Sequence, residues 1–326
     1  MKFPRLVCFL SAALLCASPA TAQPAARDKL LVVVNRAPQT VTIYKVVGKD
    51  LTPLKSLPIG KTAREVCLSP DGNIAYVSNG EGNSISVVDL DKMAVTATIT
   101  DPRIKGPDGG VVSPDGRKLY VVGNLSDSAV VIDTKTNKVV NEIPLALSVP
   151  RRLTFSPDGK RIYAGCNKTP ELAVIDAATD KVIRRIKVGN ETRGGITFTR
   201  DGKLLLAGAV EDDTLYYIDA ATEQVTRIQG TPGSPQRIIT HPDGPAFVLC
   251  RISGTVYAIG DLQKHDKSVE IDVGKAPWGL DMSDDGAYLF ASSNTDDTIS
   301  VIDTKTLKVV NVVKGEKDPN GLVFRK

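Results

Sequence analysis

Arg64, Arg151, Arg152, Arg193 and Arg237 fall four to six residues before successive copies of one turn tetrapeptide. Glu65, Asp108, Gln236 and Trp278, the only tryptophan, occupy the same offsets, and Asn320 takes the equivalent place in the last strand. Arginine presents a planar fork of donors that matches carboxylate or phosphate. Tryptophan adds a flat apolar face with cation–π capacity. A basic pocket with one aromatic wall suits a small anionic organic molecule or an acidic segment of a protein partner. The bland alternative is a structural network, with Arg64–Asp108 and Arg152–Glu65 as salt bridges and Trp278 as packing. Burying several like charges without a counter-charge is costly, which favours an anion among these ten ligand-site candidates.

The offsets have meaning because the turn repeats. Ser-Pro-Asp-Gly stands at Ser69–Gly72, Ser113–Gly116 and Ser156–Gly159, with degenerate copies at Thr199–Gly202, His241–Gly244 and Ser283–Gly286. The steps are 44, 43, 43, 42 and 42 residues, a period that belongs to stacked structural units. In the copy from Arg151 to Gly189, a short strand precedes the turn. Three more follow, at Arg161–Cys166, Leu172–Asp176 and Lys181–Val188. They are rich in Val, Ile and Tyr and separated by Gly, Pro, Asn and Asp, which reads as an antiparallel meander. No helical face of ten residues appears, so helical repeats are excluded.

Tandem four-stranded sheets of this size close radially into a propeller. Second strands are expected near Leu30, Ile74, Lys118, Arg161, Leu204, Pro245 and Tyr288, which makes seven blades. The first lacks an inner strand, and Pro319–Phe324 is an inner strand with no blade after it. The expected fold is therefore an all-β, seven-bladed β-propeller of four-stranded antiparallel blades over residues 28–326, with the C-terminal strand closing the first blade. Closure removes an open sheet edge.

The Tyr-Val-x-Asn ending of the second strand (Tyr76–Asn79), the Ser-Pro-Asp-Gly before it and the Val-Ile-Asp-x-x-Thr-x-Lys-Val-Val after it resemble the YVTN-repeat propellers. These are the YncE-like secreted bacterial proteins. The resemblance spans nearly all of residues 28–325 and implies the fold. It implies no activity, because the repeated residues are scaffold. Asp89, Asp133, Asp176, Asp219 and Asp303, which end the third strands, are expected to bind turn amides. So is the Asp of each Ser-Pro-Asp-Gly.

Function is expected where the repeat breaks. The fourth position before the turn carries Gly109, Gly195, Gly279 and Gly321, but also Glu65, Arg152 and Arg237. A proline pattern at the sixth position (Pro107, Pro150, Pro235, Pro277, Pro319) is broken by Arg193. In a propeller these positions share one mouth of the axial channel, so an Arg-rich funnel is expected there. An enzyme is the alternative: a lactonase or lyase on an anionic substrate, with Glu65, Asp108 and Asn320 as oxygen ligands of a divalent cation and an arginine steadying an oxyanion. A third reading is a docking scaffold with an idle channel.

Other chemistry finds no residues. The chain has two histidines, His241 in a turn slot and His265 in the polar insertion Asp261–Lys267. Neither suits general-base work at the funnel, and no haem-attachment motif or histidine metal set appears. Hence no metal and no cofactor are expected, and no catalytic residue can be named. Nucleic acid is not an expected partner, since one tryptophan and a small net charge offer neither stacking platform nor broad basic surface. The expected partner is a small anionic molecule or a protein, and the expected state a monomer.

The chain starts Met1-Lys2-Phe3-Pro4-Arg5, runs apolar from Leu6 to Ala17 and reaches Ala20-Thr21-Ala22. This is the pattern of a secretory signal peptide over residues 1–22, followed by a linker over 23–27. The apolar run is short for a bilayer span, so no membrane span is expected, and the protein should be periplasmic or secreted. Losing Lys2 and Arg5 takes the net charge from +4 to +2. Cys67, Cys166 and Cys250 would remain. Cys67 and Cys166 lie in apolar strand patterns and are expected to pack as small hydrophobes, and no spacing favours a particular disulfide.

Overall fold

The computed structural model describes residues 27–167, 169–188, 194–260, 262 and 268–325. The expected leader, Arg193 and His265 lie outside them. The second strands are short apolar runs buried along their whole length, as in Leu30–Asn35 and Ala246–Cys250. The fourth strands alternate instead, as in Val225–Gly230. The difference is one of coverage. A strand sandwiched between two blades is apolar on both faces, whereas an outer strand keeps one face in water. Leu54, Val140, Ile183, Ile228, Val269 and Val312 are the exposed large apolar residues of those outer strands.

These strands form seven four-stranded antiparallel sheets among the described residues. Six are simple meanders. The remaining sheet runs in the order Pro319–Arg325, Leu30–Asn35, Thr40–Val47, Asp50–Pro58, so the C-terminal strand closes the first blade as expected. The seven innermost strands are Ala63–Leu68, Pro107–Val112, Pro150–Phe155, Ile196–Phe198, Pro235–Thr240, Pro277–Met282 and Pro319–Arg325. Each contacts the next, and the last contacts the first, which makes a ring. Second strands begin at Leu30, Ile74, Lys118, Arg161, Leu204 and Tyr288, as expected. The sixth begins at Ala246 rather than Pro245, because proline has no N–H to give to a ladder.

The hydrophobic core is divided among the gaps between neighbouring blades. One cluster joins Leu31, Val33, Tyr44 and Phe324 of the first blade to Phe290, Ile299 and Val301 of the seventh. Phe290 and Phe324 stack with ring centroids 5.7 Å apart and an interplanar angle of 5°. The others repeat the arrangement around the ring, as in the cluster of Tyr76, Val87, Leu119 and Val130 between the second and third blades.

The repeated polar residues serve the turns. In the first turn Ser69 Oγ donates to Asp71 Oδ1 and accepts from Ile74 N–H at 2.9 Å, while Asn73 N–H donates to Asp71 at 3.0 Å. The pattern recurs at Ser113, Ser156, Thr199 and Ser283. His241 substitutes for that hydroxyl, its Nδ1 accepting from Asp243 N–H at 3.0 Å. Third-strand aspartates accept from amides two or three residues on, as Asp176 does from Ala178 and Thr179 and Asp219 from Ala221 and Thr222. Cys67, Cys166 and Cys250 are all free thiols; Cys166 and Cys250 are buried and Cys67 is half-buried.

The closing strand is an integral wall of the ring, which sets a clear expectation. Phe324→Ala should cost about 3–5 kcal/mol, a fall on the order of 10 °C in melting temperature for a chain of this size. Removing residues 316–326 should cost more. Circular dichroism melts measure both, and a truncated chain melting with the full chain would contradict the closure.

Candidate functional site

Six of the seven inner strands are entered through a kink; the segment leading into Ile196–Phe198 falls outside the described residues. A left-handed residue comes first, at Thr62 (φ 53°), Gly106 (56°), Val149 (57°), Ser234 (54°), Ala276 (50°) and Asp318 (56°). The ladder register then shifts between Ala63 and Val66, Pro107 and Gly110, Pro150 and Arg152, Pro235 and Arg237, and Pro277 and Leu280. A β-bulge leaves a residue unpaired and re-aims its side chain. Arg151 and Gln236 are the residues skipped in their ladders, between the paired Pro150 and Arg152 and between Pro235 and Arg237.

The fourth position is crowded. A Cβ on Gly109 would lie 2.4 Å from the Arg151 carbonyl oxygen of the next blade, and one on Gly279 would lie 2.5 Å from that of Asn320. Neighbouring inner strands thus approach too closely for a side chain on every blade. The long residues occur on the second, fourth and sixth blades, as Glu65, Arg152 and Arg237, with glycine between. All three meet. Arg152 Nη1 donates to Glu65 Oε1 at 2.7 Å, Arg237 Nη2 donates to Glu65 Oε2, and Trp278 Nε1 donates to Oε1 at 3.0 Å. Partners drawn from the second, fourth, sixth and seventh blades reach one carboxylate only across the axis.

A second carboxylate serves the arginines beside it. Arg151 Nη1 lies 2.7 Å from Asp108 Oδ2 and Arg64 Nη1 lies 3.3 Å from the same oxygen. Asn124 Nδ2 donates to it at 3.4 Å. Asp108 Oδ1 has no hydrogen-bond partner; Arg152 Nη1 is 3.8 Å away. The Asp108 side chain is fully buried, whereas those of Arg64, Arg151 and Arg237 are 29%, 23% and 23% exposed. Gly80 makes this possible, since a Cβ there would lie 2.7 Å from Arg64 Nε.

Burial pulls the Glu65 carboxyl upward, but Arg152, Arg237 and the Trp278 hydrogen bond outweigh it and hold the group below its ordinary value of 4.5. Burial likewise works against the Arg152 cation, yet Glu65 and Asp108 keep its pKa raised. Arg237 moves the other way. Burial and then the Arg152 charge lower it, despite Glu65. Four arginines thus share two close carboxylates, Glu65 and Asp108, and Asp281 also acts on Arg237.

Behind this network lies a cavity of about 180 Å³ lined by Arg151, Arg152, Gln236, Arg251 and Trp278. None of these is acidic. Gln236 Nε2 donates to Ser234 Oγ at 3.1 Å, and the Arg251 guanidinium sits 5.3 Å from the centroid of the Trp278 ring. Of the ten residues singled out by sequence, Arg64, Glu65, Asp108, Arg151, Arg152, Gln236, Arg237 and Trp278 are brought together. Asn320 is buried on the closing strand, its backbone oxygen accepting from Ser292 Oγ at 2.6 Å; it lines neither this cavity nor the wider one beside it. Arg193 lies outside the described residues. Arg251 and Asn124 were missed, because the offsets were counted only before the turns. The residue just after the second strand is Arg36, Gly80, Asn124, Asn167, Val210, Arg251 or Asn294. Counting breaks there would have found Arg251. Both oxygens of Glu65 and Oδ2 of Asp108 accept from arginine donors, so a divalent cation there would have to displace them; only Asp108 Oδ1 is open.

Fold and site together define a seven-bladed propeller whose axial residues are a buried, arginine-rich ion network. A family model described as YNCE-like beta-propeller matches residues 13–155, and one described as Cytochrome D1 heme domain matches residues 114–249. The chain is 35% identical over 100 residues to the seven-bladed beta-propeller protein Rv1057 of Mycobacterium tuberculosis (strain ATCC 25618 / H37Rv). That stretch is 30% of this chain and 24% of the relative, so the match spans about a quarter of that protein's length. The resemblance to the YVTN-repeat, YncE-like seven-bladed propellers is borne out. Among solved structures, a functionally unknown protein from Desulfotomaculum acetoxidans DSM 771 superposes with TM-score 0.77 at 16% identity, covering 90% of this chain and 98% of that one. Kuenenia stuttgartiensis hydrazine synthase gives 0.71 at 22% identity, over 79% and 88%. The dihydro-heme d1 dehydrogenase NirN in complex with DHE gives 0.70 at 18%, over 93% and 77%. At these identities the likeness is one of fold.

The second family model raises the question of haem, and the residues of this cavity do not fit it. Axial ligation of haem iron uses His, Met, Cys or Tyr. The cavity lining has none of these, and His241 is committed to a turn at the other end of the strands. A space of about 180 Å³ is near that of a cavity that takes one benzene, with no room for a tetrapyrrole.

Glu65 is the acid that neutralises two buried cations, so Glu65→Gln should lose about 3–5 kcal/mol at neutral pH. The pH dependence has a definite sign. The folded pKa lies below the unfolded one, so the contribution is full above about pH 4.5 and fades as pH falls through the folded value. Melts of the two proteins should therefore differ most near neutrality and converge on acidification. A gap that stayed constant would show that the charge of Glu65 is not what stabilises the ring.

Proposed function

We propose that this protein is a non-catalytic binding protein that takes a small anionic organic molecule at the arginine-lined axial mouth. The observation that carries this reading is the cavity itself: three arginines, a glutamine amide and a tryptophan face, with no carboxylate among the lining residues. Arg152 is neutralised by Glu65 and Arg151 shares Asp108 with Arg64. An anion entering this space would meet donors already fixed in place, so little ordering cost is added on binding. The Trp278 ring gives an organic anion an apolar surface that an inorganic ion could not use. The pattern of residues 1–22 supports export, and the reading places the protein in the periplasm or outside the cell.

The test is a thermal-shift and calorimetric screen of carboxylates and phosphates, repeated with Arg251→Gln. Arg251 is exposed at the cavity edge, so this variant should melt close to the parent. A charge-assisted contact contributes about 1.5–3 kcal/mol, so affinity should fall roughly 10- to 100-fold. A parent protein that no anion stabilises would overturn the reading. Arg152 is the wrong residue to remove: it is buried on Glu65, and its loss would damage the fold as well as the cavity.

A further inference from the structure

A second, wider cavity of about 490 Å³ opens beside the first, and Arg151 lines both. Its other chemistry comes from Arg64, Asn83, Asn124, Glu81 and the apolar pair Leu125 and Val149. We infer that the ligand is an elongated molecule with two anionic groups on an apolar spacer. One group sits in the inner cavity by Arg152 and Arg251; the other sits in the outer cavity by Arg64, with Arg151 between them. This rests on the anion-binding reading of the inner cavity and adds the class of ligand.

Three observations carry it. First, Arg64 and Arg151 share a single oxygen of a single buried carboxylate, at 3.3 and 2.7 Å. One negative charge cannot balance two cations, and both side chains are about a quarter exposed, on the cavity side. An anion held only in the inner cavity would meet Arg151 and leave Arg64 with the longer contact to Asp108. Second, Asp108 holds Arg151 in place between the cavities, so one carboxylate cannot occupy both. Third, the outer cavity is not basic throughout. Leu125, 74% exposed, and Val149 give an aliphatic spacer its contact. Asn83 Oδ1 accepts from Gly106 N–H at 2.8 Å, which leaves the amide donors of that side chain for a ligand oxygen. Glu81 at the rim is the one acid in the lining. It penalises a third anionic group and disfavours polyanions.

The experiment is calorimetric titration of the full chain with hexanoate and with the α,ω-dicarboxylates from malonate to suberate, for the parent, Arg64→Gln and Arg251→Gln. Arg64→Lys is added as a charge-retaining control, and melts verify that each variant folds. The best-fitting dicarboxylate should bind at least about 10-fold tighter than hexanoate, the effect of one further charge-assisted contact. Arg64→Gln should abolish that advantage and leave hexanoate unchanged, Arg64→Lys should keep part of it, and Arg251→Gln should weaken both ligands. Dicarboxylates binding no better than hexanoate, or Arg64→Gln weakening both ligands equally, would overturn the two-anion inference while leaving the inner site standing. Absence of heat with any carboxylate in the parent would overturn the inner site as well.

Discussion

The Glu65 carboxylate ties the ring together across its axis. Among the described residues, the other contacts between blades run between neighbours, through apolar packing and through ion pairs such as Arg151–Asp108, Lys118–Asp180 and Arg184–Glu223. Glu65 alone receives donors from the fourth, sixth and seventh blades. A buried pair of this kind is weak evidence for net stability, because desolvation consumes most of the attraction. Its consequence is specificity. Once Arg152 and Arg237 are buried, only an arrangement that brings Glu65 to both avoids an unpaired charge, and that arrangement is the closed ring.

The same crowding that makes glycine the rule at the fourth position dictates how its exceptions are placed. Gly109 and Gly195 leave no space for a Cβ against the backbone of the following blade. Long side chains are therefore tolerated on alternate blades, and three of them fill the middle of the channel. With seven blades the alternation cannot close evenly. Two glycine blades, the seventh and the first, must stand side by side. Trp278, on the seventh, donates to Glu65 and completes its shell. The odd number of blades thus leaves the ion network one-sided.

The fold was legible in the sequence because it is written seven times. Each Ser-Pro-Asp-Gly fixes a turn by its own hydrogen bonds, and second strands start where the turn spacing puts them. The closing strand was legible because an inner strand without a blade has one place to go. The site was partly legible for the opposite reason, as departures from a pattern. Glu65, Arg152 and Arg237 stand out against glycine, and they do meet. The pattern also offered two pairs, Arg64–Asp108 and Arg152–Glu65, and both are present; what it could not give was how partners are shared. Register alone does not say that Arg151 and Arg64 share one oxygen of Asp108, because the bulges that re-aim them are backbone features with no fixed residue. Arg251 escaped notice because it lies after a second strand, where residue types vary from blade to blade.

Carboxylates do two different jobs at the two ends of these strands, and the contrast bears on where a ligand can go. On the turn face, each aspartate is consumed by amides and hydroxyls of its own loop. Side-chain and backbone hydrogen bonds lower the pKa of Asp71, Asp115, Asp158 and Asp201 in the same way. Those charges are balanced locally, and the surface they make is uniform around the ring. At the axial mouth, Glu65 and Asp108 are set among Arg64, Arg151, Arg152 and Arg237, with Glu81 and Asp281 nearby. This gathering of arginines stands at one place on a chain whose formal charge is only +4. In a partly desolvated recess the attraction between charges is several times stronger than in open water. A weakly charged protein can therefore draw an anion to one point on its surface, and the bulged inner strands are what hold that point rigid.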